Sequence, residues 1–154
     1  MKKLVVSLAM FVAVFGTALA ADGTKISYRV EEAFKKEFAG ATSVKWEVVR
    51  KNDLFQAHFL YNNERINAFF DAEGNLVATG RYVAVTNLPL LLRKNMLEKY
   101  KGYQIQNVIE FVLGDETSYL IGVENEKSKL LIRGYIGGSS YIFKKEKKNS
   151  LAKL

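Results

Sequence analysis

The sequence predicts an α+β fold: a tandem repeat of one helix followed by a four-stranded antiparallel meander, with the helices on one face of the sheet. Three observations carry this. Two segments place apolar residues at helical spacing, and each is followed by four short segments of strand character. Turn residues separate consecutive strands, so hairpins suffice and no parallel crossover is required. The second half also echoes the first. Phe38-Ala39-Gly40-Ala41 is answered by Tyr100-Lys101-Gly102-Tyr103, and Phe55, Ala57 and Phe59 by Tyr119, Ile121 and Val123.

Each element has a local reason. From Tyr28 to Phe38, Val30, Ala33, Phe34 and Phe38 share one helical face, with Glu31 and Glu32 near the start and Lys35 and Lys36 later. Gly40 ends that helix. Val44 to Val48 alternates as a strand, and Lys51-Asn52-Asp53 is turn chemistry. Phe55, Ala57, Phe59 and Tyr61 form the second strand and Ile66, Ala68 and Phe70 the third. Asp71 to Asn75 turns, and Leu76 to Val85 reads as a long fourth strand. Asn87-Leu88-Pro89 opens a second helix with Leu92, Met96 and Tyr100 on its buried stripe. Strands then follow at Ile105–Leu113, Tyr119–Val123, Leu130–Ile136 and Tyr141–Phe143. The repeats span about residues 28–86 and 87–145 of a domain running 21–145.

Residues 1–20 read as a signal peptide. Lys2 and Lys3 precede an apolar run from Leu4 to Phe15, too short for a settled bilayer span, and Ala18-Leu19-Ala20 supplies small residues for cleavage. The expected product is periplasmic or secreted. The formal charge of +7 sits mostly at the ends. Lys2 and Lys3 leave with the signal, and the run from Lys144 to Leu154 holds five lysines against Glu146, so the body is close to neutral. That distribution argues against nucleic acid as a partner and for a solvated basic tail over 146–154.

Among 154 residues there is no Cys and one His. This removes thiol nucleophiles, cysteine zinc sites, iron–sulfur clusters and multi-histidine metal sites, and no enzyme, cofactor or metal centre is expected. Asp71-Ala72-Glu73-Gly74-Asn75 lacks the spacing of a calcium loop, and Gly137-Gly138-Ser139-Ser140 lacks the lysine and helix of a phosphate loop. Both are hairpin turns. His58 alternates away from its apolar neighbours and so faces the open side of the sheet. If Trp46, Phe55, Phe59, Phe70, Tyr119 and Val123 face the helices, the opposite face shows Lys45, Glu47, Gln56, His58, Asn67, Phe69, Arg81, Glu124, Arg133 and Tyr135. A mixture of charge and aromatic rings on a broad sheet suits protein recognition.

The Phe38-Ala39-Gly40-Ala41 helix stop, Val44-Lys45-Trp46, the Phe55-x-Ala57-x-Phe59 strand, Phe70 to Leu76 and Leu88-Pro89 together resemble the PepSY-like domains with a β-lactamase-inhibitor-protein-like fold. The likeness covers about residues 28 to 145. It implies tandem helix-plus-four-strand units, export and no catalytic residues. It also implies binding through the open sheet face, as an inhibitor of a periplasmic or secreted enzyme such as a peptidase. The disulfides of the namesake inhibitor are missing, so its target is not carried over. The expected partner is a protein of the cell envelope; a sensor of small ligands or envelope polymers is the alternative.

Overall fold

The structure, a computed structural model, describes residues 26–51 and 53–148. Its order is α1 (Tyr28–Glu37), β1 (Thr42–Arg50), β2 (Leu54–Tyr61), β3 (Glu64–Asp71), β4 (Leu76–Tyr82), α2 (Leu90–Lys99), β5 (Gln104–Leu113), β6 (Glu116–Glu124), β7 (Ser128–Tyr135) and β8 (Ser140–Lys147). The eight strands form one sheet in sequence order, every neighbouring pair antiparallel. The β4–β5 pairing, from Ala78↔Leu113 to Tyr82↔Ile109, makes the sheet continuous across both halves. The expected signal peptide lies outside the described residues.

Both helices start where their sequences dictate. Ser27 Oγ accepts a hydrogen bond from the Val30 N–H at 3.4 Å and caps α1, and Lys35 and Lys36 complement its C-terminal end. Phe38 is its C-cap, followed by Gly40 at φ +91°. At α2, Asn87 belongs to a single 3-10 turn and Pro89 is the N-cap, so the helix begins at Leu90. The proline ring lacks a donor that this position would leave unpaired.

Two clusters pack the helices onto strands. Val30 and Phe34 of α1 meet Phe55, Ala57, Phe59, Ala68 and Phe70. Phe34 sets its ring edgewise to Phe59 at 4.9 Å and to Trp46 at 5.3 Å, a geometry aromatic quadrupoles favour. Leu92 and Met96 of α2 meet Val108, Tyr119, Ile121, Val123, Leu130 and Ile132. Ala68 is in register with Thr79, Val112 and Thr117, and Val112 shares its side of β5 with Val108. The strand residues of both clusters therefore lie on one face.

Two expectations about strands are corrected. The fourth strand ends at Tyr82, well short of Val85, because the chain there leaves the sheet for the 3-10 turn. A bulge also interrupts its pairing: Phe70 opposes Leu76 while Phe69 opposes Ala78, leaving Val77 as the extra residue. The lysine run is the second correction. Lys144, Lys145 and Lys147 are β8 residues paired with Leu131, Leu130 and Ser128, and Lys148 Nζ meets Glu124 at 3.2 Å. The basic segment is sheet edge up to Lys147, not frayed tail; residues 149–154 lie outside the described residues.

Gly134 leaves no room for a side chain under α2. A Cβ there would stand 2.6 Å and 2.8 Å from the Leu92 methyls, and Leu92 is fully buried. Gly134→Ala is therefore expected to cost about 1–3 kcal/mol by overpacking, and Leu92→Ala about 2–5 kcal/mol by leaving a cavity. Each change makes room for the other, so the double variant should lose less than the sum. Chemical denaturation of the four proteins checks this, and strict additivity would show that the two sites do not share space.

Candidate functional site

The sheet face on which neither helix packs has a well-defined register. One row across it reads Lys45, His58, Asn67, Gly80, Phe111, Ser118, Tyr135. The next row reads Glu47, Gln56, Phe69, Ala78, Leu113, Glu116. On the other side of the first lie Tyr82, Ile109, Leu120, Arg133 and Tyr141. Nine of the ten candidate residues are on this face. Lys45, His58, Asn67 and Tyr135 share a single row, with Glu47, Phe69 and Arg133 adjacent. Glu124 stands apart at the far end, paired with Gln104 and held by Lys129 at 3.7 Å and Lys148 at 3.2 Å.

Arg81 is the exception and is corrected. It opposes Ile66 and so lies on the helix-packed face. The Val77 bulge is the cause: without the extra residue, Arg81 would fall opposite Arg65, on the other side. There Arg81 bridges the two halves. Its Nε donates to Glu110 Oε1 at 2.8 Å, its Nη1 lies 3.7 Å from Glu64, and the Tyr119 hydroxyl donates to Glu110 Oε2 at 3.4 Å. The hydrogen bond to Glu110 raises the guanidinium pKa further, and burial, then Glu110, raises that of the Tyr119 phenol.

The centre of the candidate face is apolar. Leu54, Phe69, Ala78, Ile109, Phe111, Leu120 and Leu131 are buried and form one cluster, with Val49, Val77, Leu113 and Phe143 packed against it. Except for Phe69 these were absent from the sequence expectation, which assumed one apolar and one polar face. The signal for them is the apolar doublets Phe69-Phe70, Val108-Ile109 and Leu130-Leu131, and the run Tyr119 to Ile121. Consecutive apolar residues mark strands buried on both faces.

Polar groups are set into this floor. Asn67 Oδ1 contacts His58 Nδ1 at 2.6 Å, and Glu47 Oε2 lies 3.4 Å from His58 Nε2. The buried Arg133 donates from Nε to Ser118 Oγ at 3.2 Å and from Nη2 to Glu116 Oε1 at 2.9 Å, and its guanidinium lies 5.5 Å from the Tyr135 ring centre. Burial, then the bond to Tyr141, raises the Tyr135 phenol pKa. Among the described residues four buried side-chain polar atoms lack a hydrogen-bond partner, and three are on this face: both amide atoms of Gln56, and Asn107 Oδ1. Lys45, Tyr82 and Tyr141 are exposed at the border, while Glu47, His58 and Tyr135 are half-buried. Among the described residues no group of three or more His, Asp or Glu is placed to hold a metal ion.

The same fold recurs in solved structures. A BLIP-like protein from Bacteroides fragilis matches with a TM-score of 0.63 at 22% identity, over 86% of this chain and 94% of its own. The chain has the BLIP-like fold. A candidate periplasmic protein from Bacteroides eggerthii matches with a TM-score of 0.69 at 16% identity, over 80% of this chain and 89% of its own. A DUF2874 family protein from Bacteroides uniformis gives 0.67 at 19% identity, over 82% and 92%. At these identities the likeness shows the fold alone. No family model and no curated protein matches the chain.

The unpaired amide of Gln56 makes a quantitative test. A buried donor or acceptor without a partner costs about 1–3 kcal/mol. Gln56→Leu, of similar volume and apolar, should therefore raise the denaturation midpoint. A fall in stability would show that the amide is satisfied in solution.

Proposed function

We propose that this protein is an exported, non-enzymatic binding module that takes a protein of the cell envelope on the sheet face opposite the helices. One observation carries the reading: a packed apolar floor bordered by Lys45, Glu47, His58, Tyr82, Tyr135 and Tyr141, on the side neither helix occupies. A stiff apolar centre with charged and aromatic side chains at its border matches the anatomy of recognition surfaces, where aromatic and Arg side chains carry most of the energy. The N-terminal pattern Lys2-Lys3, apolar run and Ala18-Leu19-Ala20 supports export. So does the fold shared with a candidate periplasmic protein.

The finer reading is that the two helix-plus-four-strand units are a tandem repeat of the PepSY-like kind. The partner is then an enzyme such as a peptidase, restrained by occlusion. The order α–β–β–β–β occurring twice and the echoed Gly40 and Gly102 helix stops support the duplication. No covalent step, cofactor or metal enters. Both ring nitrogens of His58 are already engaged by Asn67 and Glu47.

Capture from an envelope extract should return one stoichiometric protein, whose turnover falls when the purified chain is added back. Combining Glu47→Ala, His58→Ala and Tyr135→Ala should weaken capture about tenfold or more, the loss expected from losing more than one anchor. Far-UV circular dichroism should stay unchanged. Arg81→Ala, on the opposite face, should leave capture intact. Equal loss from both sets would refute the face assignment.

The unpaired polar atoms of Gln56 and Asn107 favour a second reading, a sensor whose small ligand supplies a donor and acceptors. A thermal-shift screen with peptides and glycans decides: stabilisation by a small molecule, with no protein captured, selects the sensor.

A further inference from the structure

We propose that the outward side of α2 is a docking surface for an anionic lipid bilayer. The two helices hold equivalent places in the fold but differ on the side away from the sheet. Beyond the exposed Tyr28 at its first position, α1 exposes charged residues of both signs, among them Glu32, Lys35 and Lys36. On α2, Leu90, Leu91 and Leu97 are exposed by 71%, 58% and 62%. At 3.6 residues per turn Lys94 projects opposite the buried Leu92 and Met96, with Leu90 and Leu97 on one flank of it and Leu91 on the other. The β7–β8 turn adds Ile136, itself 71% exposed. That turn is tied to the helix by Asn95 Nδ2, which donates to the Gly138 carbonyl at 3.0 Å, and by Lys99 Nζ, which donates to the Ser140 carbonyl at 3.1 Å. Leucines displayed by a helix on a globular protein mark an interaction surface.

Charge decides the occupant. Lys99 turns to the Ser140 carbonyl, and the charges left on the outward side and flank of α2 and just beyond its end are Arg93, Lys94 and Lys101 against the single carboxylate of Glu98. A second copy placed on this surface by a two-fold axis would bring cation against cation. The four apolar side chains are also few, and the leucines are split by Lys94, short of the continuous core a stable protein interface needs. Anionic headgroups meet both features, since they neutralise the cations while leucine side chains sink to the acyl boundary. This surface lies across the sheet from the candidate partner face, so both can be occupied together.

The test is cosedimentation of the exported protein, its N-terminus read by mass spectrometry, with two kinds of vesicle. One is phosphatidylcholine alone; the other is an equal mixture with phosphatidylglycerol. The protein should pellet with the anionic vesicles, weakly or not at all with phosphatidylcholine, and less as salt rises. Leu90→Ser with Leu97→Ser should weaken binding about tenfold or more, the effect of withdrawing two partly inserted side chains. Lys94→Glu should weaken it as well. These positions are exposed, so unchanged circular dichroism is expected for each variant. Three results would overturn the proposal: no binding to anionic vesicles at low salt, binding unaffected by the leucine changes, or a concentration-dependent dimer that those changes dissolve.

Discussion

Where β4 runs beside β5, five residue pairs from Ala78↔Leu113 to Tyr82↔Ile109 turn two four-stranded halves into one sheet. A unit of about 60 residues is marginal by itself, because it buries too little of its surface. The join changes that on both sides at once. On one side it places Arg81 between Glu64 and Glu110, one carboxylate from each half. On the other it brings Leu54 and Phe69 from the first half against Ile109, Phe111, Leu120 and Leu131 from the second. Gly80 sits in the seam: a Cβ there would come within 3.2 Å of Ile109 Cγ2 and 3.6 Å of Phe111 Cδ2. A bare backbone at this position lets those side chains lie close over β4.

Among the described residues, closing the seam leaves β1 and β8 as the edges of the sheet, and each is guarded differently. β1 is interrupted by register shifts at both ends, with Ser43 at φ +56°. β8 carries Lys144, Lys145 and Lys147, charges that discourage another strand from pairing there. The lysines thus have a structural use that the sequence, read as a tail, did not reveal.

The architecture was legible because its signals are local. Helix spacing, the stops at Gly40 and Gly102 and the turn residues between strands act over a few residues each, and all eight strands and both helices follow from them. Two things depended on distant partners. Face assignment in β4 hinges on one extra residue whose presence is decided by packing against β3. The apolar floor was hidden by the assumption that an antiparallel strand shows water one side, although Val108-Ile109 and Leu130-Leu131 were visible. Polar candidates on β1 to β3 and β7 lie on the face that alternation predicts, because pairing is unbroken from Lys45 to Val48 of β1 and along the β2–β3 and β6–β7 pairs. The unpaired state of Gln56 has no sequence signature, since it depends on what every neighbour leaves unoffered. A floor that holds an unsatisfied amide sacrifices stability, and recognition surfaces are where such a sacrifice is tolerated.

The extra residue at Val77 also bears on how relatives should be compared. The solved structures compared above share this fold at 16–22% identity, where letters alone leave many placements open. A single-residue slip in that hairpin turns β4 inside out, exchanging Arg81 for its neighbours as the group on display. Homologues are therefore best matched by which side of the ribbon a side chain occupies. A conserved-looking arginine at the nominal position serves an entirely different purpose once the count is off by one.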